Sequence, residues 1–172
     1  ADTLIEVFEE SVRAFAGRTV SEREGGAGKV RAFTYDEFAR KSRGVAWQLS
    51  GLGVRPGDKV GVLSDNRPEW GIAFFGVLLA GAVVIPLDIH LKPAELANIL
   101  SRSGARVCVA GAEADETLAG ARPSTPALDH IVSMDDAGFG PSREDSPEIP
   151  PPDPDAVAVI PFSSGTTGVP KG

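Results

Sequence analysis

The apolar residues at the start of the chain recur at near-helical spacing, and β-prone runs follow them. The spacing predicts a first helix over residues 2–16, capped by Asp2 or Thr3. Two short segments, 19–24 and 29–33, are β-prone and flank a glycine-rich stretch typical of a turn. We therefore expect a β-hairpin after the first helix.

A second amphipathic helix is predicted from its first residues. The Thr34 hydroxyl can accept a hydrogen bond from the amide of Glu37, and the Glu37 carboxylate can accept one from the amide of Thr34. Gly53 can end this helix in the left-handed conformation. The apolar residues predicted to face the core are Phe38, Val45, Trp47, Leu49 and Leu52.

From residue 59 onward, short apolar runs alternate with helical patterns. A helix with Asn66 as its N-cap ends before Gly81, and further helices are predicted over 93–103 and 113–119. This alternation predicts right-handed crossovers and an α/β fold, with a mainly parallel, doubly wound sheet flanked by helices. The predicted strands are 59–64, 82–87, 106–110 and 130–133.

Polar residues follow two of these strands at the edge where ligands gather in parallel sheets. Residues 65–67 and 88–90 are therefore second-rank site candidates. Polar residues at strand ends often only make turns, so Asn66 is better explained as a helix cap and His90 as a loop hydrogen bonder. His130 has no metal-ligand pattern around it.

Residues 137–155 are rich in Pro, Gly, Ser and acidic residues, with three consecutive prolines at 150–152. Such a composition predicts an extended surface connection and not a helix. Only 17 residues follow it, too few for a domain, so we expect either an excursion between sheet strands or the approach to a further part of the fold, and not a domain linker.

Composition and charge narrow the class of protein. The 172 residues, 42% of them hydrophobic, suffice for one domain with a core. A net charge of −7 without a basic cluster argues against a nucleic-acid partner. The single cysteine, Cys108, lies in an apolar run, which predicts a buried thiol and fits a cytoplasmic protein. No transmembrane segment is predicted, while peripheral membrane contact and oligomeric state stay open.

The last ten residues carry the clearest chemistry. Four hydroxyls, glycines and a lysine lie close together, and glycine lets backbone N–H groups converge on an anion. The spacing differs from a Walker P-loop, since Pro170 and Gly172 surround Lys171 and disfavour a helix there. A metal and Lys171 would then neutralise phosphate charge. The candidate phosphate-binding residues are Ser163, Ser164, Gly165, Thr166, Thr167, Gly168 and Lys171.

The order Ser-Ser-Gly-Thr-Thr-Gly-x-Pro-Lys-Gly resembles the phosphate-binding signature of the adenylate-forming superfamily. The resemblance implies that this loop holds the phosphates of ATP, that Thr166 helps to place Mg²⁺, and that Lys171 is catalytic. It also implies two half-reactions, in which a carboxylic acid becomes an acyl adenylate and the thiol of CoA then displaces AMP. The implied partners are thus small molecules: ATP, a carboxylic acid and CoA.

Three further stretches resemble the same superfamily, namely 33–38, 57–70 and 78–88. Asn-Arg-Pro-Glu-Trp at 66–70 is similar to fatty acyl-CoA synthetases and favours a long-chain fatty acid as substrate. An aryl acid or an amino acid remains an alternative, as does a nucleotide-binding or interaction module without ligase chemistry.

The resemblance also implies that residues 1–172 are the N-terminal portion of a larger adenylate-forming domain. The superfamily's metal-binding glutamate, ribose-binding aspartate, acyl pocket and C-terminal lysine have no counterpart in this sequence. We therefore expect the chain alone neither to adenylate acids nor to bind ATP tightly.

Overall fold

The computed structural model describes residues 2–24, 30–141 and 153–162. An N-terminal helix and a hairpin precede a run of alternating helices and strands. Short 3₁₀ turns precede and follow the last helix. The helices are α1 Leu4–Phe15, α2 Tyr35–Gly51, α3 Pro68–Leu79, α4 Pro93–Ser103 and α5 Asp115–Ala121, and the strands are β1 Thr19–Glu24, β2 Val30–Thr34, β3 Lys59–Leu63, β4 Val83–Leu87, β5 Val107–Ala110 and β6 His130–Ser133.

The main sheet contains four parallel strands in the order β4-β3-β5-β6. Alternate residues of each strand point to opposite faces, and each face carries its own apolar cluster. Val60 and Val62 pack with α2 and α3, whereas Ile85 and Cys108 pack with α4 and α5. Helices thus cover both faces, which confirms the predicted α/β class.

The predicted starts of α1 and α2 are confirmed by their hydrogen bonds. In α1, Thr3 is the N-cap and forms a reciprocal pair with Glu6. At the start of α2, the Glu37 amide donates to the Thr34 hydroxyl at 3.2 Å, and the Thr34 amide donates to the Glu37 carboxylate at 2.9 Å. Strands β1 and β2 pair antiparallel as expected, and the predicted hairpin tip lies outside the described residues.

Two local predictions were wrong, and a third holds for only some of its described residues. The N-cap of α3 is Arg67 and not Asn66, which is exposed. Trp47 is only half-buried, whereas its neighbours Val45 and Ala46 on α2 are fully buried. The predicted surface segment 137–155 is exposed at 137–138 and 153–155, but Phe139 is buried and its carbonyl accepts a hydrogen bond from Lys41 Nζ at 3.1 Å.

Helices α2 and α3 approach closely because Gly76 carries no side chain. A Cβ atom at Gly76 would lie 2.6 Å from the Cβ of Val45 and 3.0 Å from the carbonyl oxygen of Ser42. Both distances are shorter than ordinary van der Waals contacts, and Val45 is fully buried, so the helices would have to separate.

Gly76→Ala is therefore expected to destabilise the chain by about 1 kcal/mol. Overpacking costs about 1–3 kcal/mol, while the better helix propensity of alanine returns up to about 1 kcal/mol. Urea denaturation of the chain measures the difference. Gly51→Ala is the matched control, because nothing lies within 4 Å of the place that a Cβ atom would take there, and it should not lower stability. Equal stability of Gly76→Ala and Gly51→Ala would contradict the packing argument.

Cys108 is fully buried, as predicted, and burial raises the pKa of its thiol to about 12.

The described part of the chain lacks two features, a metal-binding group and a membrane-spanning helix. Residues 2–24, 30–141 and 153–162 contain no group of three or more His, Cys, Asp or Glu side chains that could hold a metal ion. Within the same ranges, no helix is both long and apolar enough to cross a membrane.

Candidate functional site

The residues that precede the phosphate-loop signature lie beside β4. Val84 donates its N–H to the carbonyl of Ala158 at 2.9 Å, and the N–H of Ile160 donates to the carbonyl of Val84 at 2.9 Å. These bonds make a parallel bridge between Val84 and Val159. Residues 158–160 therefore run in the same direction as the four strands of the sheet.

The chain then continues toward the carboxyl edge of the sheet. Ile160 and Phe162 pack against the apolar cluster on the α4 face, which includes Leu87 at the end of β4. The predicted site residues Ser163, Ser164, Gly165, Thr166, Thr167, Gly168 and Lys171 lie outside the described residues. The described chain thus runs, up to Phe162, toward the side of the sheet where parallel α/β folds bind ligands.

The second-rank candidates at the strand ends have local structural roles. The Asp88 carboxylate accepts a hydrogen bond from the backbone N–H of His90 at 2.8 Å, which is an Asx turn. The backbone N–H of Asp65 donates to Glu113 at 2.8 Å. Asp65, Asn66, Asp88 and His90 all have exposed side chains.

Sequence reasoning missed an ion-pair cluster at the same edge. Arg67 is buried, and three carboxylates from different parts of the chain surround its guanidinium. Nε of Arg67 lies 3.0 Å from Glu69 Oε2, Nη2 lies 2.6 Å from Asp135 Oδ1, and Nη1 lies 3.7 Å from Glu113 Oε2. We refer to Arg67, Glu69, Glu113 and Asp135 as the Arg67 cluster.

The Arg67 cluster joins the loops that follow three neighbouring strands. Arg67 follows β3, Glu113 follows β5 and Asp135 follows β6. Asp135 also accepts a hydrogen bond at 2.7 Å from the backbone N–H of Ala112, which links the β5 and β6 loops directly. The cluster therefore fixes the relative positions of loops along the carboxyl edge.

The charges in the cluster stabilise one another. Burial opposes the charged form of Arg67, but hydrogen bonds to Asp135 and Glu69 outweigh burial and raise its pKa above the ordinary value. The hydrogen bond from Arg67 is the main cause of the lowered pKa of Asp135. Arg67 and Asp135 thus hold each other in their charged forms at neutral pH. The partners are 2, 46 and 68 residues from Arg67, so no local sequence pattern indicates them.

A parallel sheet with helices on both faces defines the class of doubly wound α/β proteins, which bind ligands at the carboxyl edge of the sheet. Comparison with known families is more specific. The AMP-binding enzyme family matches residues 8–172, and the chain belongs to this family.

Individual relatives and solved structures agree with this assignment. The chain is 37% identical over 170 residues to the phosphinothricin tripeptide synthetase PhsC of Streptomyces viridochromogenes, covering 99% of this chain and 15% of PhsC. It is 36% identical over 150 residues to the feruloyl-CoA synthase of an Amycolatopsis species, covering 87% of this chain and 28% of that protein. The apo structure of Mycobacterium smegmatis MbtA superposes with a TM-score of 0.84 at 30% identity, covering 99% of this chain and 33% of MbtA.

These relatives include a tripeptide synthetase and a feruloyl-CoA synthase, so the comparisons show the AMP-binding enzyme family and do not single out one acid. The chain spans 15% and 28% of the length of the two relatives.

Proposed function

We propose that the full-length protein containing this chain activates a carboxylic acid with ATP. An oxygen of the acid attacks the α-phosphorus, the bond from that phosphorus to the bridging oxygen of pyrophosphate breaks, and the products are an acyl adenylate and pyrophosphate. A thiol such as that of CoA then attacks the acyl carbon and releases AMP. The observation that carries this proposal is the path of residues 158–162, which runs beside β4 toward the carboxyl edge.

The phosphate-loop signature supplies the groups that this chemistry needs. The hydroxyls and backbone amides of Ser163, Ser164 and 165–168 would donate hydrogen bonds to the phosphate oxygens. Lys171 would stabilise the negative charge that gathers on the departing pyrophosphate, an electrostatic effect that is often the largest in catalysis. A magnesium ion, for which the hydroxyl of Thr166 is a suitable hard ligand, would neutralise further phosphate charge.

We propose further that residues 1–172 are the N-terminal portion of a larger adenylate-forming domain. The shares of PhsC and feruloyl-CoA synthase that this chain matches support this arrangement. On this proposal, the acyl pocket and the adenosine contacts lie in other parts of the full-length protein.

A long-chain fatty acid is the first candidate substrate, because residues 66–70 resemble fatty acyl-CoA synthetases. The contacts of these residues are structural, however. Arg67 and Glu69 belong to the Arg67 cluster, Pro68 opens α3, and Trp70 stacks on Phe74 with ring centroids 5.4 Å apart. Aryl and amino acids are the second candidate class, favoured by the similarity to a feruloyl-CoA synthase and a tripeptide synthetase.

ATP–pyrophosphate exchange with the full-length protein tests the proposal. Fatty, aryl and amino acids are supplied separately, and we expect exchange that depends on Mg²⁺ and on one of the three classes. The 172-residue chain alone is the matched control and should show no exchange. ATP binding by the full-length protein without exchange for any acid would instead support a module without ligase chemistry.

A further inference from the structure

A small cavity lies beside the Arg67 cluster, between β2, α2, the start of α3 and the residues after β6. Its volume is about 160 Å³. Three buried apolar side chains, Phe33, Met134 and Phe139, line it together with the exposed residues Arg31 and Asp136. The cavity therefore reaches from the core to the surface, so a small molecule can enter it from the solvent.

Lys41 places an amine in this cavity. Its side chain extends from α2 and is half-buried, and Nζ donates a hydrogen bond to the carbonyl of Phe139 at 3.1 Å. This hydrogen bond gives Nζ a defined position against the apolar lining, close to where an entering acyl group would lie.

Arg31 carries a second positive charge in the same cavity. Its guanidinium lies over the ring of Phe33, with Cζ 4.9 Å from the ring centroid, and Nη1 lies 3.3 Å from Glu69 Oε1. The side chain of Arg31 is 64% exposed. A guanidinium has five N–H donors, so the contact with Glu69 leaves others for a phosphate group.

The surroundings of Lys41 favour its neutral, nucleophilic form. Burial lowers the pKa of the Lys41 ammonium, and the positive charges of Arg31 and Arg40 lower it further, while the charge of Glu69 opposes them. Lysines act as nucleophiles in proteins when they are desolvated or lie beside another cation. The other charged residues that line the cavity are Arg67, Asp135 and Asp136.

We propose that Lys41 is acylated by mixed anhydrides of a carboxylic acid and phosphoric acid, with Arg31 binding the phosphate group of the donor. Neutral Nζ attacks the acyl carbon, the bond from that carbon to the phosphate oxygen breaks, and the phosphate leaves with the electron pair. The nitrogen then gives its extra proton to water, and the product is an amide whose N–H still donates to Phe139. Acyl adenylates belong to this class of donor, but the inference stands on the cavity and does not rest on the proposed function.

Reaction of the full-length protein with acetyl phosphate tests the proposal. Mass spectrometry of proteolytic peptides follows acetylation of Lys41 and of Lys92, an exposed lysine immediately before α4 that serves as the internal control. At about pH 8 we expect Lys41 to react about threefold faster or more, and the ratio of the two rates should fall at higher pH, where both amines are neutral. Equal rates, or a ratio that does not change with pH, would overturn the proposal.

Arg31→Gln tests the phosphate contact separately. With acetyl phosphate, this substitution should slow acetylation of Lys41 by about threefold or more and leave Lys92 unchanged. With the N-hydroxysuccinimide ester of acetic acid, which carries no phosphate, the slowing should be smaller. Arg40→Gln is the matched control: Arg40 also lowers the pKa of Lys41 but does not line the cavity, so it should affect both donors equally. Equal slowing of the two donors by Arg31→Gln, or no slowing of either, would overturn the proposal.

Discussion

Replacing both Thr166 and Lys171 by alanine is expected to lower acid-dependent ATP–pyrophosphate exchange of the full-length protein by about 100-fold or more. Removing a single group that stabilises transition-state charge typically costs about 10²–10³ in rate. The double variant removes the lysine charge and a hydroxyl suited to Mg²⁺. Steady-state exchange at saturating acid, followed as a function of ATP and Mg²⁺ concentration, measures the loss.

Lys59→Ala is the matched control for this loss. Lys59 opens β3 at the amino end of the sheet, opposite the edge toward which residues 158–162 run. The Lys59→Ala substitution also removes one lysine charge. ATP–pyrophosphate exchange should stay within about twofold of the unsubstituted protein, since surface substitutions away from special features have small effects. Full exchange by the Thr166→Ala, Lys171→Ala protein would contradict the assigned role of the signature.

The second large effect is expected from Arg67→Met, which should destabilise the chain by about 3 kcal/mol. Removing one partner of a buried ion pair costs about 3–5 kcal/mol, because the other charge stays buried and unpaired. Glu69, with its side chain 6% exposed, would keep its 3.3 Å ion pair with the exposed Arg31 but lose its buried partner, so the expected loss lies at the low end of this range. Asp135 is 37% exposed and can recover some hydration. Urea denaturation at neutral pH measures the difference.

Arg40→Met is the matched control for Arg67→Met. Arg40 pairs with Asp36 one helical turn away, and both side chains are more than half exposed. Pairs of this kind contribute about 0.3–0.5 kcal/mol, so the control should lose no more than that. Equal losses in the two variants would show that the Arg67 cluster has no special stabilising role.

Lowering the pH should reduce the loss of stability caused by Arg67→Met. The pKa of Asp135 is lowered in the folded chain, mainly by the hydrogen bond from Arg67. Its contribution to stability is therefore complete above the unfolded pKa of about 3.9, and it is lost as the pH falls through the lower folded value. The stability difference between the two proteins should shrink below about pH 4, in the range where the unfolded carboxylate takes up its proton.

The sequence predicted those parts of the fold that depend on local chemistry. The Thr34 and Glu37 capping pair, the α4 bounds 93–103 and the β6 bounds 130–133 are confirmed. Each follows from residues that are neighbours along the chain. The parallel sheet also follows, because alternating strands and helices allow few other topologies.

The failed predictions depend on contacts between distant residues. Asn66 is a good N-cap by composition, but Arg67 takes that position while its side chain binds carboxylates that follow β5 and β6. Phe139 lies in a segment of polar composition, and its burial against α2 is set by the tertiary fold. Separations of 46 and 68 residues leave no periodic signal for such contacts.

The candidate site also has one part that local sequence predicts and one part that it does not. The phosphate-loop signature is contiguous, so its composition alone predicts an anion-binding loop. On the proposed function, the acid would be selected by residues from other parts of a longer chain. Residues 66–70 have structural contacts. The role of the signature residues themselves therefore stays a prediction.

The products formed from ATP give the most direct test of the central claim, that this chain belongs to an enzyme that transfers AMP to an acid. ATP labelled at the α-phosphate is incubated with the full-length protein, the activated acid and Mg²⁺, and the products are separated. The account predicts labelled acyl adenylate and, after a thiol is added, labelled AMP, with pyrophosphate released in equal amount. Labelled ADP together with an acyl phosphate would contradict it.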